Sequence, residues 1–179
     1  MVTLEVPPPE PEKSGRLLMR FEGRMLLIAH RGLIQGPNRS LENLPSQIEH
    51  ALSRGYDSEI DVWYQNGRWA LGHDAGDYTI DVEFLHRRGL WIHCKNLRAF
   101  FALRGMSANE PNYFWHESDT VVLTSSGHVW TYFGNPETES SVSICVMPET
   151  SRTIEEIRLL TKREQWYGIC SDYVEEISR

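Results

Sequence analysis

Short apolar runs alternate with amphipathic segments from Met25 to the end of the chain. The amphipathic segments predict three helices, at Pro45 to Arg54, Leu97 to Arg104 and Thr153 to Gln165. The apolar runs are rich in β-branched and aromatic residues, which favour strands. They predict eight strands: Leu26 to Ala29, Ser58 to Tyr64, Leu90 to Cys94, Tyr113 to Trp115, Thr120 to Thr124, Val129 to Tyr132, Val142 to Val146 and Gly168 to Ser171.

Strands that alternate with helices are typical of a parallel sheet with crossover helices. Eight of them would suit a (β/α)8 barrel, but such barrels usually need about 250 residues. This chain has 179 residues, and several links between the later strands are too short for a helix. We therefore predict an α/β fold: a compact, reduced (β/α)8 TIM-type barrel in which loops or hairpins replace some helices.

The first 24 residues differ in composition from the rest. The segment VPPPEPEKSG holds four prolines and little to bury, which predicts a flexible, proline-rich lead-in over residues 1–24. Met25 opens the first apolar run and is a candidate alternative start. We predict one folded domain, residues 25–179.

Charge and composition exclude several kinds of partner. The formal net charge is -7, so the chain has no overall attraction for nucleic acid or anionic lipid. It contains neither a run of eighteen apolar residues nor a secretory signal, so we expect no membrane span and a cytoplasmic location. Three cysteines without CxxC spacing predict buried, reduced thiols.

The first predicted strand ends in Ala29-His30-Arg31-Gly32. This is the carboxyl end of a parallel strand, where the active sites of barrels are found. His30 is therefore a candidate acid or base. For a single histidine, a hydrogen-bonded structural role is the alternative.

The second strand carries two carboxylates on one face. Side chains alternate along a strand, so Glu59 and Asp61 share a face. Paired carboxylates repel each other unless a cation neutralises them, and carboxylate oxygens suit Mg²⁺ or Ca²⁺. A solvated face of an edge strand is the alternative.

Two further segments direct side chains toward this pair. Asn66-Gly67 predicts a two-residue hairpin that returns the chain and, if Gly72 supplies a bend, brings His73 close to the carboxylates. The third strand places His93 and Lys95 on one face by the same alternation, although a lysine at a strand end is often simply exposed.

These motifs together resemble those of a known family. The order IAHRG, SLEN before a helix, SEIDV, a hairpin and GHD resembles the amino-terminal half of the glycerophosphodiester phosphodiesterases, whose pattern is HRG, ENT, E-x-D and HD. GICSDY near the end of the chain is similar to the last strand of that family. The resemblance covers Leu27 to Asp74 well and the remainder in patches.

The resemblance implies a PI-phospholipase-C-like barrel that hydrolyses a small phosphodiester. By this resemblance, His30 and His73 exchange protons with the attacking and leaving oxygens, while Glu59 and Asp61 hold a divalent metal. The remaining positions implied by it bind the substrate phosphate or support the site: Arg31, Lys95 and Glu42.

One departure bears on the metal. The family has an acidic ligand two residues before the third-strand lysine, where this chain has His93. The resemblance implies Mg²⁺ or Ca²⁺, whereas an imidazole ligand favours Mn²⁺ or Zn²⁺. Two alternatives stay open: a lyase that releases a cyclic phosphate, and a barrel that binds metal or phosphate without catalysis. The headgroup and the oligomeric state are also open.

Overall fold

The structure, a computed structural model, describes residues 25–106, 111–134, 138–163 and 165–179. The predicted flexible segment, residues 1–24, lies outside the described residues. Within the described ranges, ten strands form one sheet: β1 (Leu26–Ala29), β2 (Asp57–Gln65), β3 (Arg68–Leu71), β4 (Tyr78–Ile80), β5 (Leu90–Cys94), β6 (Asn112–Phe114), β7 (Val121–Leu123), β8 (Val129–Tyr132), β9 (Ser143–Val146) and β10 (Gly168–Ser171).

The described residues form four α-helices: α1 (Pro45–Ser53), α2 (Leu97–Arg104), α3 (Ile154–Leu160) and α4 (Val174–Ile177). The three predicted helices and eight predicted strands are all present. Helix α3 is shorter than expected, since it ends at Leu160. Strand β4 was not predicted, because its three residues stand between Asp77 and Asp81 and do not form a longer apolar run. Helix α4 was not predicted, because four residues are too few to show a helical period.

Local sequence signals account for where these elements begin and turn. Pro45 occupies the first turn of α1, and Thr153 forms a capping box with Glu156 at the start of α3. Asn66 and Gly67 have φ angles of 51° and 75°, the left-handed pair that a two-residue hairpin between β2 and β3 requires.

The sheet curls into a half-barrel of eight strands in the order β6-β5-β2-β1-β10-β9-β8-β7, and β3 and β4 extend from β2 as an antiparallel addition. Neighbours from β6 through β8 are parallel, whereas β7 runs antiparallel to β8. Among the described residues, β7 pairs only with β8 and β6 only with β5.

The predicted (β/α)8 barrel, even in reduced form, is therefore wrong. In the described part of the chain only α1, α2 and α3 cross over between parallel neighbours. A parallel crossover needs a dozen or more residues, and the short link from β7 to β8 instead makes a hairpin that reverses the chain. The antiparallel β7 leaves an open half-barrel.

The two faces of the curled sheet have different roles. The outer face packs against the helices, and Ile60 and Ile92 share a buried apolar cluster with Ala99 and Leu103 of α2. The inner face carries a second apolar cluster: Ile28, Trp91, Phe114, Trp130, Ile144, Val146 and Cys170. Toward the carboxyl ends the inner positions become polar, and the candidate site begins there.

Candidate metal centre

Two carboxylates and an imidazole lie side by side on the inner face. Glu59 and Asp61 are 3% and 1% exposed, and strand register pairs Asp61 with His93 of β5. One ligand atom from each of the three residues lies within 4.8 Å of the others. The shared face predicted for Glu59 and Asp61 is therefore confirmed, and the group could hold a metal ion.

Asp61 is the most heavily bonded member of this group. Its Oδ2 accepts a hydrogen bond from Asn43 Nδ2 at 2.9 Å and lies 3.3 Å from Arg31 Nε. Its Oδ1 lies 3.0 Å from His93 Nδ1 and 3.3 Å from Lys95 Nζ. Burial raises the pKa of Asp61, but the His93 hydrogen bond and the Lys95 and Arg31 charges outweigh burial and hold the pKa below its ordinary value. Asp61 is therefore ionised.

Glu59 has the opposite tendency. Burial and the adjacent Asp61 charge raise the pKa of Glu59, and the nearby His30, His93 and Arg31 offset this only in part. Its Oε2 accepts a hydrogen bond from the Arg31 backbone N–H at 3.1 Å. A cation between two such carboxylates would remove the repulsion between them.

The donor set of two carboxylates and one imidazole suits a divalent cation. His93 is fixed in a stack, with its ring parallel to Phe114 and to His116 at centroid distances of 5.1 and 4.6 Å. Its Nδ1 lies 4.0 Å from Glu59 Oε1, and its Nε2 is buried without a hydrogen-bond partner among the described residues. Because a carboxylate can only accept, Nδ1 carries the hydrogen in the contact with Asp61, so metal binding through Nδ1 would require the other tautomer, with the hydrogen on Nε2.

His30 directly follows β1, at the carboxyl end of that strand. Its Nδ1 is 2.8 Å from Asp172 Oδ1, and because a carboxylate can only accept, Nδ1 carries the hydrogen. Burial lowers the pKa of His30, while the Asp172 hydrogen bond and the Glu59 charge outweigh burial and raise the pKa above its ordinary value. The other ring nitrogen, Nε2, is left for proton exchange.

Arg31 links the two parts of the site. Its φ of 51° is left-handed, and its Nη1 donates to Glu42 Oε2 at 2.7 Å. The next residue must be glycine: Gly32 has a φ of 79°, and a Cβ there would lie 3.2 Å from backbone atoms of Ile48. The Arg31 guanidinium thus lies between Glu42 and Asp61.

His73 is the outermost of the sequence-predicted residues. The chain bends at Gly72, whose φ is 146° and whose N–H donates to Asp61 O at 3.1 Å. The His73 side chain is 41% exposed and bonds Asp74, which also pairs with Arg39. The structure thus brings together His30, Arg31, Glu42, Glu59, Asp61, His93 and Lys95 by direct contacts or shared charges, and places His73 on the exposed turn beside them.

Sequence reasoning assigned no role to two buried residues of the site. Asn43 is fully buried, and in addition to its bond to Asp61 Oδ2 its own Oδ1 accepts from the Asp61 backbone N–H at 2.8 Å. Asp172 orients His30. Both residues stand in motifs that the sequence already indicated: Asn43 ends SLEN, and Asp172 follows the last strand. The sequence does not reveal, however, that Asn43 bonds Asp61 or that Asp172 bonds His30.

Comparison with known proteins adds no assignment. No model of a known protein family matches the chain, and no curated protein matches it. Among the described residues, no helix has the length and apolar character that a membrane crossing requires.

Proposed function

We propose that the chain is a metal-dependent phosphodiesterase that hydrolyses a small phosphodiester such as a glycerophosphodiester. The observation that carries the proposal is the buried Glu59–Asp61–His93 group, which lies at the same sheet edge as the hydrogen-bonded His30–Asp172 pair. A buried acidic pair and an oriented imidazole at one edge supply the two functions that phosphodiester cleavage needs: charge neutralisation and proton transfer.

Glu59, Asp61 and His93 would hold the metal, which when bound would polarise the phosphoryl group and offset its growing negative charge. Mg²⁺ and Ca²⁺ follow from the family resemblance, whereas the His93 imidazole favours Mn²⁺ or Zn²⁺. Both carboxylates lie on the inner face, so a phosphate reaching them would approach from the concave side of the sheet.

His30 is proposed as the main acid or base. The Asp172 hydrogen bond at 2.8 Å holds its ring and keeps the hydrogen on Nδ1, so Nε2 can take a proton from an attacking oxygen. His73, on the exposed turn next to Gly72, is proposed to return a proton to the leaving oxygen. Its exposure suits a group that exchanges protons with water between turnovers.

Arg31 and Lys95 are proposed to bind the substrate phosphate. Both already touch Asp61, at 3.3 Å in each case, so their side chains are held in place before substrate arrives. Glu42 fixes the far end of the Arg31 guanidinium. Charges fixed in this way need little rearrangement as the transition state forms.

The proposal is tested by measuring turnover of bis-p-nitrophenyl phosphate and of glycerophosphodiesters, with Mg²⁺, Ca²⁺, Mn²⁺ and Zn²⁺ supplied separately. We expect metal-dependent turnover that falls by about 10²- to 10⁴-fold in His30→Ala, the contribution typical of a positioned acid or base. Asp61→Asn should lose turnover together with metal binding. Asp81→Asn, which neutralises an exposed carboxylate outside the site, is the control and should remain active.

Folded protein that shows no turnover with any of the four ions would refute the proposal. Metal binding measured by calorimetry on that same protein would then indicate a metal-binding protein without catalysis. Equal turnover in Asp61→Asn and in the unmodified chain would exclude the Glu59–Asp61–His93 group as the metal site.

A further inference from the structure

A carboxylate outside the proposed site supports the His30–Asp172 pair. Glu149 lies in a short 3₁₀ turn, Pro148–Thr150, that follows β9. Its Oε1 accepts two hydrogen bonds from the end of β10, one from Ser171 Oγ at 2.8 Å and one from the Asp172 backbone N–H at 2.9 Å. Glu149 thus links the turn that follows β9 to the last residue of β10 and to Asp172, the residue after it.

The backbone on each side of these contacts is also fixed. Met147, before the turn, has a left-handed φ of 48°, and its N–H donates to Cys170 O at 2.8 Å. The carbonyl of Asp172 accepts from Gly36 N–H at 2.8 Å. Because its N–H and C=O are both held, Asp172 can present its carboxylate in few directions, and the observed direction meets His30.

We propose that Glu149 is a positioning residue, which orients the Asp172 carboxylate so that His30 keeps its hydrogen on Nδ1 and offers Nε2 for proton transfer. This inference rests on the proposed function for its effect on turnover, but the hydrogen-bond chain from Glu149 through Asp172 to His30 can be tested without turnover. It assigns Glu149 no contact with substrate or metal.

The second oxygen of Glu149 supports a role beyond ordinary packing. Glu149 Oε2 is buried and has no hydrogen-bond partner among the described residues. A buried carboxylate oxygen without a partner is costly, and an apolar side chain at this position would avoid that cost. What Glu149 provides is a single acceptor, Oε1, for two donors: Ser171 Oγ at the end of β10 and the backbone N–H of Asp172, which follows it.

The first test is Glu149→Ala, with Glu155→Ala as a matched control that truncates an exposed carboxylate on α3. In protein labelled with ¹⁵N, the ring-nitrogen shifts of His30, assigned by their loss in His30→Ala, report which nitrogen carries the hydrogen. We expect Glu149→Ala to convert His30 from the Nδ1-protonated form to a mixture, while Glu155→Ala leaves it unchanged. In active protein, kcat should fall about 10- to 100-fold with little change in KM, as expected when a catalytic group is misplaced by about an ångström.

Glu149→Gln provides the second variant if Glu149→Ala does not fold. The amide oxygen still accepts from Ser171 and Asp172, so the His30 tautomer and most of the turnover should be retained. Unchanged His30 ring shifts in folded Glu149→Ala would overturn the inference, and so would loss of the tautomer in folded Glu149→Gln. If the unmodified protein shows no turnover, the proposed function fails, while the ring shifts still decide the role of Glu149.

Discussion

Burial of Asp57 makes the stability of the folded protein depend on pH. Asp57 lies at the amino end of β2, whereas the candidate site lies toward the carboxyl ends of the strands. The Oδ2 of Asp57 accepts a hydrogen bond from Trp91 Nε1 at 2.8 Å. In the described part of the chain it has no ion pair, and burial, only partly offset by the Trp91 hydrogen bond, raises its pKa to about 6. Folding therefore favours the protonated carboxyl.

The sign and size of the effect follow from this difference. In the unfolded chain the carboxyl titrates near pH 4, so between about pH 4 and pH 6 the folded state binds more protons. The free energy of unfolding then falls as the pH rises through this window, by about 3 kcal/mol in total. Below the window the Asp57 carboxyl is neutral in both states and the penalty disappears.

Asp57→Asn should remove this penalty, because an amide stays neutral and its oxygen can still accept from Trp91. At pH 7.5 we expect an increase of about 3 kcal/mol in stability, or a melting temperature higher by about 6 to 12 °C for a domain of this size. At pH 3.5 the variant and the unmodified chain should unfold alike. Thermal and urea unfolding at both pH values provide the measurement.

The control is Asp81→Asn, which removes the same charge from an exposed position. It should change stability by less than about 0.5 kcal/mol at either pH. A stabilisation of Asp57→Asn that persists at pH 3.5, or its absence at pH 7.5, would show that the Asp57 carboxylate is not destabilised by burial and would refute the reasoning.

Three further predictions concern the interior and the helices. Burial raises the pKa of all three cysteine thiols, so a thiol reagent at pH 8 should label none of them in the folded protein and all three in denaturant; labelling without denaturant would contradict their burial. Asn43→Ala removes two buried hydrogen bonds to Asp61 and should cost about 2 to 4 kcal/mol in urea unfolding; a loss below 1 kcal/mol would mean that these bonds contribute little. Thr153→Ala removes the capping box of α3 and should lower stability by about 1 kcal/mol, whereas Thr150→Ala, outside any α-helix, should not affect the helical circular dichroism signal.

Sequence reasoning succeeded where structure depends on neighbouring residues. The start of α1 at Pro45, the capping box of α3 and the hairpin at Asn66 and Gly67 are local devices, and the structure has all three. The shared face of Glu59 and Asp61 follows from side-chain alternation alone. Such features need no knowledge of distant residues, so the order of residues along the chain is enough to predict them.

The barrel prediction failed because closure of a sheet depends on strand partners far apart in sequence. The run at Val121–Leu123 is a strand as expected, but its direction relative to β8 was set by a short turn, and its edge is not paired with β6 in the described structure. Strand number alone does not decide whether a sheet closes, because strand direction and register are properties of pairs.

The candidate site shows the same contrast between features set by neighbouring residues and features set by distant ones. The sequence by itself determined which chemistry-bearing residues lie on the strands or directly after them: Glu59, Asp61 and His93 lie on strands, and His30 follows one. Only the tertiary structure decided their partners: Asp172, 142 positions from His30, supplies its hydrogen bond, and Asn43 makes two hydrogen bonds with Asp61. The physical reason is that a side chain's pKa and orientation depend on which buried groups surround it, and those groups come from strands that meet only when the sheet curls.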